Sequence, residues 1–110
     1  MNNIFILHAN ICKTLANPKR LEIISVLGDG ELTATQLTKK INISKANLSQ
    51  HMGTLSEKGV VISRRSGTSV FYKLSDDRIT KACELMRQVL IKNLEQNKHI
   101  LKDIKNSNKY

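Results

Sequence analysis

The 110-residue chain has no tryptophan, two tyrosines and two phenylalanines, so aromatics make up only 4% of it. That scarcity excludes a single-strand nucleic-acid binder built on platforms of stacked bases. Its two cysteines fall at no short spacing, which argues against a disulfide scaffold and for a reducing compartment. Long hydrophobic runs are missing as well. The stretch Ile4 to Leu7 is too short for a signal peptide or a membrane span, and the opening MNNIFILHAN lacks a basic leader. A cytoplasmic location with no membrane partner is the expectation. Three histidines at 8, 51 and 99, no phosphate-cradling glycine loop and no nucleophile beside a base leave nothing from which to assemble an enzyme. Acidic residues are few, nine against 18 Lys and Arg, for a net charge of +9. A chain so charged points to a polyanion, nucleic acid before a membrane surface. Its length fits one domain over residues 1–110, with a small core and no large enclosed pocket.

The most informative stretch runs from Ser44 to Val61, SKANLSQHMGTLSEKGVV. Ser44 is a helix N-cap, Leu48, Met52 and Leu55 recur at helical spacing, and Gly59 supplies the stop. Opposite that apolar stripe lie Ala46, Gln50, Gly53 and Glu57, flanked by Lys45, Asn47, Ser49 and Thr54. A glycine inside a helix costs roughly 1 kcal/mol relative to alanine, and here no apolar contact offsets it. Ala46, Ser49 and Gly53 leave a shallow rim around one long amide, Gln50. A helix of that shape can approach the floor of the DNA major groove and push one amide into it, where amides pair bidentately with adenine. A solvated helix face containing small residues is the plain alternative, and the neighbouring segments decide between the two.

Upstream, Ile4, Leu7, Ile11 and Leu15 keep helical spacing. Asn17-Pro18 starts a second helix whose stripe is Leu21, Ile24 and Leu27, ended by Gly28-Asp29-Gly30. Thr33 or Thr35 caps a short third helix through Leu37 and Ile41, and the tight turn Asn42-Ile43-Ser44 leads into the next. Helix, short turn, helix is the helix-turn-helix arrangement, in which the second helix enters the groove. After Gly59 the pattern alternates, with Val60, Ile62 and Arg64 on one side and Val61, Ser63 and Arg65 on the other. Ser66-Gly67 signals a hairpin, and Ser69 to Leu74 returns as the second strand. Beside a helix-turn-helix, a tip carrying Arg64, Arg65 and Thr68 reads as a wing that grips phosphates or the minor groove. Ser75-Asp76-Asp77 then caps a long last helix. Its stripe of Ile79, Cys83, Met86, Leu90, Leu94, Leu101 and Ile104 is too long for a monomer to bury, and Asn97 upon it suits fixing register against a second copy. The fold class expected is mainly α with a small β-hairpin: a winged helix-turn-helix of five helices and a two-stranded wing.

The segments LANPKRLEIISVL (15–27), ELTATQLTKKINISKANLSQHMGTLSEKGVV (31–61) and SRRSGTSVFYKL (63–74) resemble the ArsR/SmtB family of winged-helix repressors. The resemblance implies a homodimer whose first and last helices (about 3–16 and 76–104) form the interface. It also implies binding to double-stranded DNA at an operator of inverted symmetry, and release by an effector. Carried over position by position, it assigns Lys45, Ala46, Asn47, Ser49, Gln50 and His51 to the reading helix and Arg64, Arg65 and Thr68 to the wing. For His51, which lies nearer the apolar stripe than Gln50, a phosphate or packing role is favoured over base reading.

Departures from the family pattern concern what is sensed. A metal-binding stretch E-L-C-V-C-D-L reads Glu31 to Leu37 here, with Thr33 and Thr35 at both cysteine positions. A second metal set on the last helix keeps only Asp76, its other positions being Arg78, Val89 and Lys92. The cysteines of a thiol-sensing branch would fall near Ser25 and Ile91 and are absent here. What remains is Cys12 and Cys83, with His8 four residues before Cys12 on the same face. His8, Cys12 and Cys83 give three of the four ligands that zinc needs, so no cofactor is assigned. A reversible dithiol switch needs only two thiols, which favours a redox or thiol-reactive effector; the alternative is two small hydrophobes in an apolar seam. The rival functional readings are a winged-helix module that coats DNA without sequence choice or binds protein, and a metal-responsive repressor with a non-standard site.

Overall fold

The computed structural model describes residues 3–107, which divide at Thr80–Lys81 into two compact units. Each helix of the first unit begins where a short polar side chain takes up an early backbone N–H. In α1 (Ile4–Leu15), Asn3 accepts from Phe5 N at 2.8 Å. For α2 (Pro18–Leu27), Asn17 accepts from Arg20 N at 3.1 Å, with proline in the first turn where no N–H is needed. The start of α3 (Ala34–Ile41) is a reciprocal capping box between Thr33 and Gln36, which selects Thr33 over Thr35 as the cap. Ser44 Oγ accepts from Asn47 N at 3.1 Å to open α4 (Lys45–Glu57).

The core is built from one face of each of α2, α3 and α4 together with the foot of the sheet. Ile23, Ile24 and Leu27, then Leu37 and Ile41, then Leu48, Met52 and Leu55 are all buried, with Val60, Val61 and Leu74 beneath them. The expected stripe on α2 changes in one member: Leu21 is exposed and Ile23 takes its place in the core beside Ile24 and Leu27. Between α2 and α3 a short strand that the sequence did not announce, β1 (Glu31–Thr33), joins the hairpin of β2 (Val61–Ser66) and β3 (Ser69–Leu74). The sheet is antiparallel in the order β1-β3-β2, so the wing has three strands at its base and two at its tip. Its turn is Gly67-Thr68, set by the pairing of Ser66 with Ser69, and Gly67 adopts the left-handed φ of 63° that such a two-residue turn requires.

Ser75, expected to cap the last helix, instead donates through Oγ to Gly59 O at 2.6 Å while its N–H reaches Val60 O. This pins the end of β3 to the end of α4. The cap of α5 (Arg78–Ser107) falls to Asp76, whose Oδ1 accepts from Arg78 N at 2.9 Å. Hydrogen bonds from the Arg78 side chain hold the Asp76 carboxyl far below the usual carboxylate range. From Lys81 onward α5 constitutes the second unit, and it exposes Leu85, Met86, Val89, Leu90, Ile91 and Leu94. The side chains of His99, Leu101 and Ile104 lie outside the described residues.

One polar contact fixes α4 to α2. The Nε–H of Arg20 donates to His51 Nδ1 at 3.1 Å, and its Nη1 donates to the carbonyl of Thr14, at the end of α1. Burial first, and the Arg20 charge second, push the His51 imidazole below its ordinary 6.5, which keeps it neutral and able to accept. An unfolded chain takes up that proton at the ordinary value, so the stability from this contact is complete above about pH 6.5 and declines below it. Denaturation midpoints of the wild type and His51→Ala should therefore converge between pH 7.5 and pH 5. A gap that stays constant over that range would show that the contact does not depend on a neutral imidazole.

Candidate nucleic-acid interface

The turn into α4 is set by Asn42, the one non-glycine residue at positive φ (51°) among the described residues. With Asn42 left-handed, its N–H and that of Ile43 both turn back to Thr38 O, closing α3. Two residues after Asn42 the Ser44 cap starts α4, and the stripe Leu48, Met52 and Leu55 faces inward. Everything opposite that stripe is consequently turned out. Lys45, Ala46, Asn47, Ser49, Gln50, Gly53 and Glu57 are exposed, while His51 is half-buried against Arg20. His51 thus packs against Arg20 at the edge of the fully exposed face.

Gly53 is not demanded by the fold. Its φ is ordinary for a helix, and a Cβ placed there meets nothing within 4 Å. Exposed lysines flank α4 along the chain: Lys39 and Lys40 in the last turn of α3, and Lys45 and Lys58 at the two ends of α4. Lys19 is occupied elsewhere, reaching Ile41 O and Glu22 at 3.1 Å each.

In the wing the two arginines differ. Registers Ile62↔Lys73↔Glu31 and Arg64↔Phe71↔Thr33 place Glu31, Ile62, Arg64, Phe71 and Lys73 on one face of the sheet. There Arg64 donates from Nε and Nη2 to the two carboxylate oxygens of Glu31 at 2.9 and 2.7 Å. Its guanidinium carbon lies 4.2 Å from the centroid of the Phe71 ring. Hydrogen bonding from Arg64 holds the Glu31 carboxyl below the usual range. Arg65 points to the other face, opposite Val70, is exposed, and makes no ion pair among the described residues. Thr68 is exposed in the turn. Sequence reasoning missed Glu31 because its partner is 33 residues away, and Arg20 because its partner is 31 away. Neither pairing leaves a local pattern.

His8 and Cys12 are exposed on α1, and Cys83 on α5 is half-buried. No group of three or more potential metal ligands comes together among the described residues. Burial pushes the Cys83 thiol up, against a smaller opposing effect of Arg87. No helix among the described residues is long and apolar enough to cross a membrane.

A helix-turn-helix domain model matches residues 15–64, the span from the end of α1 to the middle of β2. The biofilm growth-associated repressor of Agrobacterium fabrum is 37% identical over 78 residues, 71% of this chain and 67% of that protein. The structure of HlyU from Vibrio cholerae superposes with a TM-score of 0.72 at 31% identity, covering 81% of this chain and 97% of that one. A Mycobacterium bovis fragment, described as the homodimeric winged helix-turn-helix DNA-binding domain of a possible ArsR-family transcriptional regulator, superposes with a TM-score of 0.75 at 26% identity, covering 84% and 86%. With the capped reading helix, its outward polar face and the three-stranded wing already in place, these matches establish that the chain belongs to the ArsR/SmtB family of winged-helix transcriptional regulators.

Proposed function

We infer that the chain is a dimeric repressor that reads double-stranded DNA through the outward face of α4, in a cytoplasmic setting and without enzymatic activity. The observation that carries this reading is the outer face itself: one long amide, Gln50, stands among Ala46, Ser49 and an unconstrained Gly53, all exposed. Stability alone would place alanine at position 53, since the space is open and helix propensity favours it. Close approach of a groove explains the glycine; solvation does not. Lys45 and Asn47 flank Gln50, and cations at Lys39, Lys40 and the wing supply attraction to phosphate.

The test starts from a duplex selected from random sequence by the wild-type protein. Gln50→Ala should cost about 1–3 kcal/mol on that duplex and little on random DNA. Gly53→Leu should leave the unfolding midpoint unchanged or higher, yet lower affinity for both duplexes by about tenfold or more, equivalent to about 1.4 kcal/mol. Equal losses for Gln50→Ala on the two duplexes would favour a DNA-coating module without sequence choice.

The dimer follows from apolar surface that neither unit buries. The first turn of α1 exposes Ile4, Phe5, Ile6 and Leu7 in succession, and α5 exposes Leu85, Met86, Val89, Leu90, Ile91 and Leu94. Surface of that extent on a 110-residue chain is the mark of an interface between copies. Asn97, exposed further along α5, suits fixing the register of the pair. Two copies would set two reading helices about 34 Å apart, one turn of DNA. Sedimentation at micromolar concentration should give two chains for the wild type and one for Leu90→Glu. A wild-type monomer would remove the symmetric-operator reading.

An effector acting through Cys12 and Cys83 has mixed support. Both thiols are free, and Cys12 is accessible, but burial keeps Cys83 protonated through the neutral range, which slows attack by a thiolate. In Cys12→Ser, alkylation of Cys83 followed against pH should reach half its limiting rate above the ordinary thiol range. A midpoint near neutrality would instead identify Cys83 as a poised sensor.

A further inference from the structure

The geometry points to Glu31 as a positioning residue that divides the work of the two wing arginines, tying Arg64 down and leaving Arg65 as the wing's phosphate contact. This rests on the DNA-binding reading above and names which side chains carry it. Three observations converge. The strand order β1-β3-β2 puts Glu31 one full strand away from Arg64, so the pair forms only by reaching across β3, over the ring of Phe71. Both oxygens of the carboxylate are engaged by two N–H groups of one guanidinium edge, the fork-to-fork arrangement that fixes orientation as well as distance. With its guanidinium carbon over the Phe71 ring, Arg64 is held against the sheet instead of extending beyond it.

An exposed ion pair contributes little to stability, so the consequence of this one is geometric and electrostatic. A cation already matched by a carboxylate releases few counterions when it nears a phosphate, because its charge is compensated before DNA arrives. Arg65 stands on the opposite face of the strand with no carboxylate opposite it, next to the exposed turn of Ser66, Gly67, Thr68 and Ser69. The third strand β1 therefore has a function beyond completing the sheet: it delivers Glu31 to the wing.

The experiment is a salt titration of duplex binding, using a random-sequence duplex of about 30 base pairs as the probe. Slopes of log affinity against log salt are compared for the wild type, Arg65→Ala, Arg64→Ala, Glu31→Gln and the swapped pair Glu31→Arg/Arg64→Glu. Removing one phosphate interaction makes the slope shallower by about 0.9, hence by about 1.8 for a two-chain complex. Arg65→Ala should show that decrease and Arg64→Ala should not. Glu31→Gln should steepen the slope by a similar amount, because Arg64 is released toward phosphate. The swapped pair, which keeps the net charge and the ion pair, should bind with the wild-type slope. Arg64 Nε–H exchange followed by NMR without DNA should be slow in the wild type and fast in Glu31→Gln, a readout independent of binding. If Arg64→Ala flattens the slope as much as Arg65→Ala does, or if the swapped pair fails to bind while folded, Arg64 is itself a phosphate contact and the division is wrong. Failure of the wild type to bind any duplex at low salt would overturn the DNA-binding reading itself.

Discussion

Arg20 is the side chain on which the geometry of the DNA-reading head depends. One planar guanidinium donates to the last-turn carbonyl of Thr14 and to His51 on α4, while the backbone N–H of the same residue is taken by the Asn17 cap. It therefore joins the end of α1, the start of α2 and the middle of the reading helix. Apolar packing of Ile23, Ile24, Leu48, Met52 and Leu55 supplies the free energy of this association, but such packing has little angular preference of its own. Hydrogen bonds of defined direction add that preference, and a rigid fork imposes it better than a flexible ammonium would. A half-buried, neutral imidazole as the acceptor completes the arrangement. Its protonation would set two donors against each other.

The wing repeats this device on a smaller scale. There, too, an arginine fork and a distant acceptor fix how two elements meet, with β1 and β2 in place of α2 and α4. The Ser75 hydroxyl adds a third tie, holding the residue that follows β3 to the Gly59 carbonyl behind α4. Reading helix and wing are thus secured to each other at the foot of the sheet, where Val60, Val61 and Leu74 are buried. This matters for any groove-and-backbone mode of binding, since phosphate contacts set the register in which base contacts are read.

What could be read from the sequence, and what could not, divides along the distance over which each signal acts. The caps at Asn17 and Ser44, the choice between Thr33 and Thr35 for α3, the inward stripe of α4 and the Gly67 turn were legible because they depend on residues within four positions of one another. The strand β1 was not. Three residues are too few to establish alternation, and Glu31–Thr33 forms a strand only because β3 returns beside it from about forty residues further along the chain. The core position of Ile23 over Leu21 was missed for a related reason. The helix carries apolar side chains at 21, 23, 24, 26 and 27, so periodicity fits more than one face, and the neighbours it packs on decide between them. Outward placement of Lys45, Asn47 and Gln50 followed from the α4 stripe, whereas the engagement of Arg64 and His51 depended on partners more than thirty residues away.

A chain whose local preferences, caps and core agree so widely makes its exceptions informative. Three are present: a glycine inside α4 that no contact requires, four consecutive apolar side chains exposed at the start of α1, and a broad apolar surface on α5. Each works against the isolated chain, the first by weakening a helix and the others by leaving apolar area in water. All three become consistent on the proposed reading, in which the unit of function is two chains on a duplex. The apolar surfaces would then be the area that assembly removes from water, and the glycine the clearance for a helix backbone to approach the bases. The same argument separates them from the Arg20 and Glu31 contacts, which are satisfied within one chain and so are present before either DNA or a second copy arrives. The intramolecular forks set the shape of the head, and the exposed exceptions mark where that head meets its partners.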